Sequence, residues 1–122
     1  MTWKASGKSD LPLADREREW DGDAAKQHVF DWAGWDDDPK PGKARQAFFA
    51  YDNENSEEKG AYKLPFADII ADKLTAVPRG IFAVAQVLEG ARGGVDLPKA
   101  VIADIRKRVE KYYKQMGDEA PW

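Results

Sequence analysis

The clearest periodicity in the chain lies near its C-terminus, where Val101, Ile105, Val109, Tyr112 and Met116 recur at three- and four-residue steps. That spacing places them on one side of an α-helix, a stripe that another element must cover. Asp96 and Pro98 mark the start and Gly117 the end, so a helix is predicted over about residues 97–116. Upstream, Ile81, Val84, Ala85, Leu88 and Ala91 form a broader arc after Pro78, with Val87 at its margin and Phe82 outside it. A helix with so wide an apolar surface, predicted over 79–91 and ended by Gly93-Gly94, is central and contacted on more than one side. A further helix is predicted after Asp21-Gly22-Asp23, whose short acidic side chains can cap exposed N–H groups. Its Ala24, Ala25, His28, Val29 and Trp32 share a side, and Gly34 suits the C-terminal cap.

Between these helices the pattern changes period. Pro41 suits the first turn of a short helix through Lys43, Ala44, Arg45 and Ala47. At Phe48–Tyr51 aromatic density favours a strand and continuation of the pattern favours helix; the reading is a helix ending near Phe48 and an extended piece to Tyr51. Residues 52–60 form a polar loop. Tyr62, Leu64 and Phe66 alternate with Lys63 and Pro65, a strand that Pro65 restricts to an edge or a bulge. Ile69-Ile70 and Leu74, Ala76, Val77 flank Ala71-Asp72-Lys73, a hairpin closed by a three-residue turn. The predicted fold class is therefore α+β. A small antiparallel β-hairpin sheet, about residues 62–77, packs against three to four helices, chiefly those at 79–91 and 97–116. Val101, Ile105, Val109 and Leu88 are expected in the core. Residues 1–20, broken by Gly7 and Pro12, read as an extended N-terminal arm that Leu11, Leu13 and Trp20 can pin to the body. Residues 21–117 form a single domain and 118–122 a frayed tail.

Composition narrows the function classes. The 122 residues fit one domain. No cysteine is present, which excludes disulfides, thiol catalysis, iron–sulfur clusters and cysteine-ligated zinc. No window approaches the ~18 continuous apolar residues of a membrane span, and the start lacks the apolar region of a secretory signal. The formal charge of −3 is uneven: residues 1–72 carry 10 basic and 16 acidic side chains, and residues 73–116 carry 9 and 4. Such a polar molecule can dock on a mixed-charge surface, although two solvated faces of different sign explain it as well.

The chemistry-bearing residues are sparse. His28, the only histidine, falls at the edge of the first helix's stripe and reads as a half-buried structural residue, since Ser6, Ser9 and Ser56 lie in the arm or a loop and no nucleophile elbow is present. Asp36-Asp37-Asp38 and Asp52–Glu58 are acidic, yet the second departs from a calcium loop at Glu57, where a glycine must turn, and at Gly60, where a ligand must stand. No metal and no cofactor is predicted. Gly90, Gly93 and Gly94 follow a helix and serve as its terminator, not as a phosphate loop. On the last helix Lys107, Lys111 and Lys114 form a basic face opposite the apolar stripe. Glu110 and Asp104, each four residues before a base, point to helix ion pairs, so nucleic acid is disfavoured as a partner. Five tryptophans exceed what a core of this size demands, and Trp3, Trp20, Trp35 and Trp122 are candidate partner-binding anchors; Trp20 and Trp35 equally suit a role covering the core.

The strings Leu11-Pro-Leu-Ala-Asp-Arg16, Trp20-Asp21, Ala44-Arg-Gln-Ala-Phe48, Tyr51-Asp52, Gly60-Ala-Tyr-Lys-Leu-Pro65, Ala67-Asp68 and Leu74-Thr-Ala-Val-Pro-Arg79, continuing into Ala91–Pro98 and Tyr112-Tyr113, carry a family resemblance. The chain resembles a family of small uncharacterised domains of tailed phages and prophages, found alone or appended to head-maturation proteases near capsid genes. The resemblance implies association with the phage head and no reaction. The expected function is a virion structural protein, a minor capsid or decoration component that is assembled in the bacterial host cytoplasm, binds the major capsid protein or another virion protein, and forms a homo-oligomer on the shell. Two alternatives stand beside it: a non-catalytic head-assembly factor recruiting a prohead protease or scaffold, and a nucleic-acid-binding accessory protein. An arm carrying Trp3 and a tail ending in Trp122 would suit clasping a neighbouring subunit.

Overall fold

The computed structural model describes residues 2–122, the side chain of Arg92 excepted. Among those residues four α-helices pack with two small antiparallel sheets, the α+β class that the periodicities predict. The first sheet has the order β1 (Trp3–Ala5), β2 (Phe48–Asp52), β3 (Tyr62–Pro65); the second is the hairpin of β4 (Ala67–Ile70) and β5 (Lys73–Ala76). The helices are α1 (Gly22–Trp32), α2 (Pro41–Ala44), α3 (Pro78–Leu88) and α4 (Lys99–Gln115).

Local chemistry explains the helix ends. The Asp21 carboxylate accepts the Ala24 N–H at 3.1 Å, capping α1. At the other end Gly34, at φ +81°, lets the Trp35 N–H reach back to the Phe30 carbonyl. Pro41 and Pro78 open α2 and α3, where the missing N–H costs nothing.

Strand β2 resolves the conflict at residues 48–51. A turn of 3₁₀ helix over Arg45–Ala47 leads into it, and all five of its residues are buried. Neighbouring side chains of a strand point to opposite faces, and here both faces are covered. Phe48 packs 5.6 Å from Phe30 of α1, whereas Phe49 stacks 4.0 Å from Phe66 and faces Tyr112 of α4. A strand covered on both sides has no alternation to display.

Three expectations need correction. First, the predicted 62–77 sheet is divided. β3 pairs with β2, not with the hairpin, and sits at the sheet edge as Pro65 requires. The hairpin itself packs on α1, while α4 lies on β1 and β2. Its turn has two residues, Ala71 and Asp72 at φ +51° and +63°, with Ile70 opposite Lys73; these are the positive dihedrals that two-residue hairpins demand. Second, the first twenty residues are extended but built into the body. β1 pairs with β2, and residues 12–14 lie beside β5 through Ala14 N–H to Ala76 O (2.8 Å) and Ala76 N–H to Pro12 O (2.9 Å). Leu11 is buried in the core cluster. Third, the terminal tail lies back on α4: the Trp122 indole N–H donates to Glu110 at 3.1 Å and Arg106 sits over the ring.

The hydroxyl of fully buried Tyr112 joins the two ends of the chain, accepting the Leu11 N–H at 3.1 Å and donating to the Lys8 carbonyl. Tyr62 likewise donates to the Ser56 carbonyl at 2.6 Å. Burial pushes the Tyr62 phenol up to about 12 and raises those of Tyr112 and Tyr113. In the unfolded chain these groups ionise near ~10. The folded state therefore holds more protons between about 10 and 12, and stability is complete below pH 10 and falls as pH rises through that window. Alkaline titration followed by circular dichroism is expected to show a drop in unfolding midpoint there, and Tyr62→Phe to lessen it, since Tyr112 and Tyr113 still contribute.

Candidate functional site

A cleft of about 790 Å³ opens where the start of α1, strand β3, α3 and the loop at 94–96 meet. Each wall has a local reason for its position. Trp20 precedes the α1 cap, and its indole lies on Gly80, the glycine inside α3. A Cβ at residue 80 would stand 3.0 Å from the indole ring carbons. The glycine thus permits the close approach of Trp20 to α3. Gly80→Ala is expected to displace the indole and lower stability by about 1–3 kcal/mol, the usual range for overpacking; urea unfolding with tryptophan fluorescence checks it.

On the opposite wall Leu64 holds φ +63° in the middle of β3. An ordinary side chain resists that region at a cost of about 1–2 kcal/mol, and the following Pro65 biases residue 64 toward extended backbone. Strain of this kind persists where the surroundings over-determine it, and it clusters at binding sites. The cleft mixes signs: Asp21, Asp23 and Asp96 face it with Lys26 and Lys63, and Val84, Val87 and Val95 supply apolar surface.

The residues singled out in the sequence scatter over the molecule. Of the four tryptophans only Trp20 lines the cleft. Trp35 packs against the core cluster on Phe30 (4.9 Å) and Tyr62 (5.7 Å), and its N–H holds the 53–58 loop through the Glu57 carbonyl at 3.1 Å. Trp3 sits in β1 with the Lys63 ammonium 4.7 Å from its ring, and Trp122 packs along α4. All four are partly buried. Lys107, Lys111 and Lys114 are exposed on α4. Asp104 pairs with Arg108 at 3.5 Å as its spacing predicts, while Glu110 takes the Trp122 N–H.

His28 departs from its predicted half-buried place. Its side chain is 55% exposed and its Nδ1 lies 2.9 Å from Asp68 Oδ1 on β4, a surface pair between α1 and the hairpin. Phe30 takes the buried position on α1 instead. The acidic loop opening at Asp52 uses that carboxylate for its own turn: it accepts from Asn55 Nδ2 at 2.7 Å, Thr2 N–H at 3.0 Å and Glu54 N–H at 3.1 Å. The Asn55 amide, then the Thr2 N–H, hold the Asp52 carboxyl below the usual range. Among the described residues no three His, Cys, Asp or Glu side chains gather to hold a metal ion.

Sequence reasoning missed Leu64 and Gly80. A lone glycine in an otherwise helical pattern signals a close approach, so Gly80 was discoverable; nothing local announces a left-handed leucine before a proline. No family profile, curated protein or solved structure matches this chain.

Proposed function

We propose that the chain is a non-catalytic structural component of a tailed-phage virion, a minor capsid or decoration protein that binds the outer capsid shell in repeated copies. The observation that carries this reading is convergence. Trp20-Asp21, Tyr62–Pro65 and Gly94–Asp96 belong to the strings that resemble phage head-associated domains, and these three distant segments line one cleft. Apolar surface framed by charges of both signs suits a protein partner, with the apolar part as the buried centre and the charges as its rim. The partner proposed is an exposed segment of the major capsid protein seated in this cleft. The tryptophans serve mainly to shape the domain, with Trp20 alone placed to touch the partner.

Purified protein mixed with capsid shells is expected to co-sediment at fixed stoichiometry. Lys26→Glu with Lys63→Glu, which reverses the basic wall, is expected to reduce attachment by about tenfold or more with little change in melting temperature. Mass spectrometry of purified virions supplies the independent check. A chain absent from virions that also fails to bind shells overturns the reading, and presence in proheads alone moves it to the assembly-factor role.

A further inference from the structure

We infer that a second cleft, between β1, the 3₁₀ turn at 45–47 and α4, binds a phosphate group, free or as the terminal phosphate of a small organic phosphomonoester. This cleft has a volume of about 340 Å³ and shares no lining residue with the larger one. That is the small end of ligand sites, which run from about 300 to 1,000 Å³. Lys8, Arg45 and Arg108 line it together with Ser6, Gln46 and Tyr51, and no carboxylate residue is in the lining.

The backbone assembles these cations from three distant parts of the chain. The Gly7 and Lys8 N–H groups donate to the carbonyls of Arg45 (3.1 Å) and Gln46 (3.0 Å), which fixes the first two beside each other. Arg108 reaches across from α4 and donates through Nη1 to the Gly7 carbonyl at 2.9 Å. Its Nε is buried and closes no hydrogen bond, although Asp104 Oδ1 stands 3.5 Å away. Arg45 lies over the Tyr51 ring at 5.6 Å, with Nη1 3.4 Å from the phenol oxygen. Among the ion pairs of the described residues, neither Arg45 nor Lys8 takes part.

Three cations held together, of which only Arg108 has a carboxylate (Asp104) beside it, repel one another, and a bound anion relieves that repulsion. The choice of anion follows from the donors. The Arg45 guanidinium presents a planar fork of N–H donors that matches the oxygens of a phosphate, Arg108 adds a second guanidinium charge with its Nη1 already on Gly7, and the Lys8 ammonium adds a point charge. Tyr51 and Gln46 add polar side chains to the lining, the Tyr51 hydroxyl donating to Asn53 at 3.3 Å and the Gln46 amide to the Gly42 carbonyl at 3.1 Å. In a chain of net charge −3 this is a local reversal of sign, which draws an anion to one place and not over the whole surface.

The test titrates inorganic phosphate into the full chain at constant ionic strength, with chloride as the matched salt, and follows the amide resonances of Ser6–Lys8 and Gln46. Saturable shifts with phosphate and none with chloride are expected. Arg45→Gln is expected to weaken binding by about tenfold or more while the phosphate-free melting temperature holds; Lys8→Gln tests the same site from the other side. Arg108 is left intact because it also secures Gly7. Glycerol phosphate in a parallel titration separates the sources: tighter binding than inorganic phosphate assigns an organic phosphomonoester, and equal or weaker binding assigns the free ion. Shifts that fail to saturate, that chloride reproduces, or that survive both substitutions unchanged overturn the inference. Loss of shell binding in the Lys26/Lys63 variant does not bear on it.

Discussion

A chain lacking residues 2–10 is expected to lose its cooperative unfolding transition. The deletion removes all of β1 and with it one edge of the first sheet. It also removes the Ser6, Gly7 and Lys8 N–H donors to Phe49, Arg45 and Gln46. The carbonyls of Gly7 and Lys8 disappear as well, and these receive Arg108 and the buried Tyr112 hydroxyl. Each net hydrogen bond is worth about 0.5–1.5 kcal/mol, and a buried donor left alone costs about 1–3. Half a dozen such losses, added to exposure of Phe49 and Phe66 beside Gly7, rival the whole stability of about 5–15 kcal/mol of an ordinary domain. Far-UV circular dichroism against urea provides the measurement. A sigmoidal transition with an undiminished midpoint would show that the N-terminal segment is a detachable arm after all.

Ile105→Ala is expected to cost about 2–5 kcal/mol, as large-to-small changes in a closed core do, and to lower the melting temperature by on the order of 10 °C. Ile105 is fully buried on α4, the helix that lies on β1 and β2. Val101, one turn earlier on the same stripe, is only partly buried. Val101→Ala is therefore expected to cost less than Ile105→Ala, about 1 kcal/mol, because a partly exposed valine surrenders less burial. The contrast matters more than either value. Equal effects at 101 and 105 would mean that α4 is rotated about its axis from the orientation described.

The same pair shows what the sequence discloses. A helical stripe names the residues on one face, so α1, α3 and α4 were legible from spacing. It does not say where the covering elements stop, so Val101 and Leu88, both partly buried, could not be told from Ile105 and Val109. Strand β3 was legible from the alternation of Tyr62 and Leu64 with Lys63, but its partner was not. Alternation identifies a strand and leaves its pairing to tertiary contacts, and here β2 won over the nearer hairpin. Strand β1 has three residues and no period of its own; only β2, more than forty residues away, makes it a strand. The cleft was partly legible, through Trp20 and the Tyr62–Pro65 string. Its left-handed leucine was not, and the cation cluster at Lys8, Arg45 and Arg108 is a product of topology that no single segment contains.

That topology also sets a timetable for the growing chain. Leu11 and Lys8 meet the Tyr112 hydroxyl across 101 and 104 residues. At about 5–20 residues per second of synthesis, the N-terminal segment waits some 5–20 s for α4 to be made. Meanwhile β1 has β2 as a partner, but the surface that α4 will cover stays open. Pairings this distant in sequence form late and slowly. The backbone of Lys8 and Leu11 therefore gains its Tyr112 partner only when α4 has been made, and the last helix to emerge is the step that ends the domain's vulnerable period.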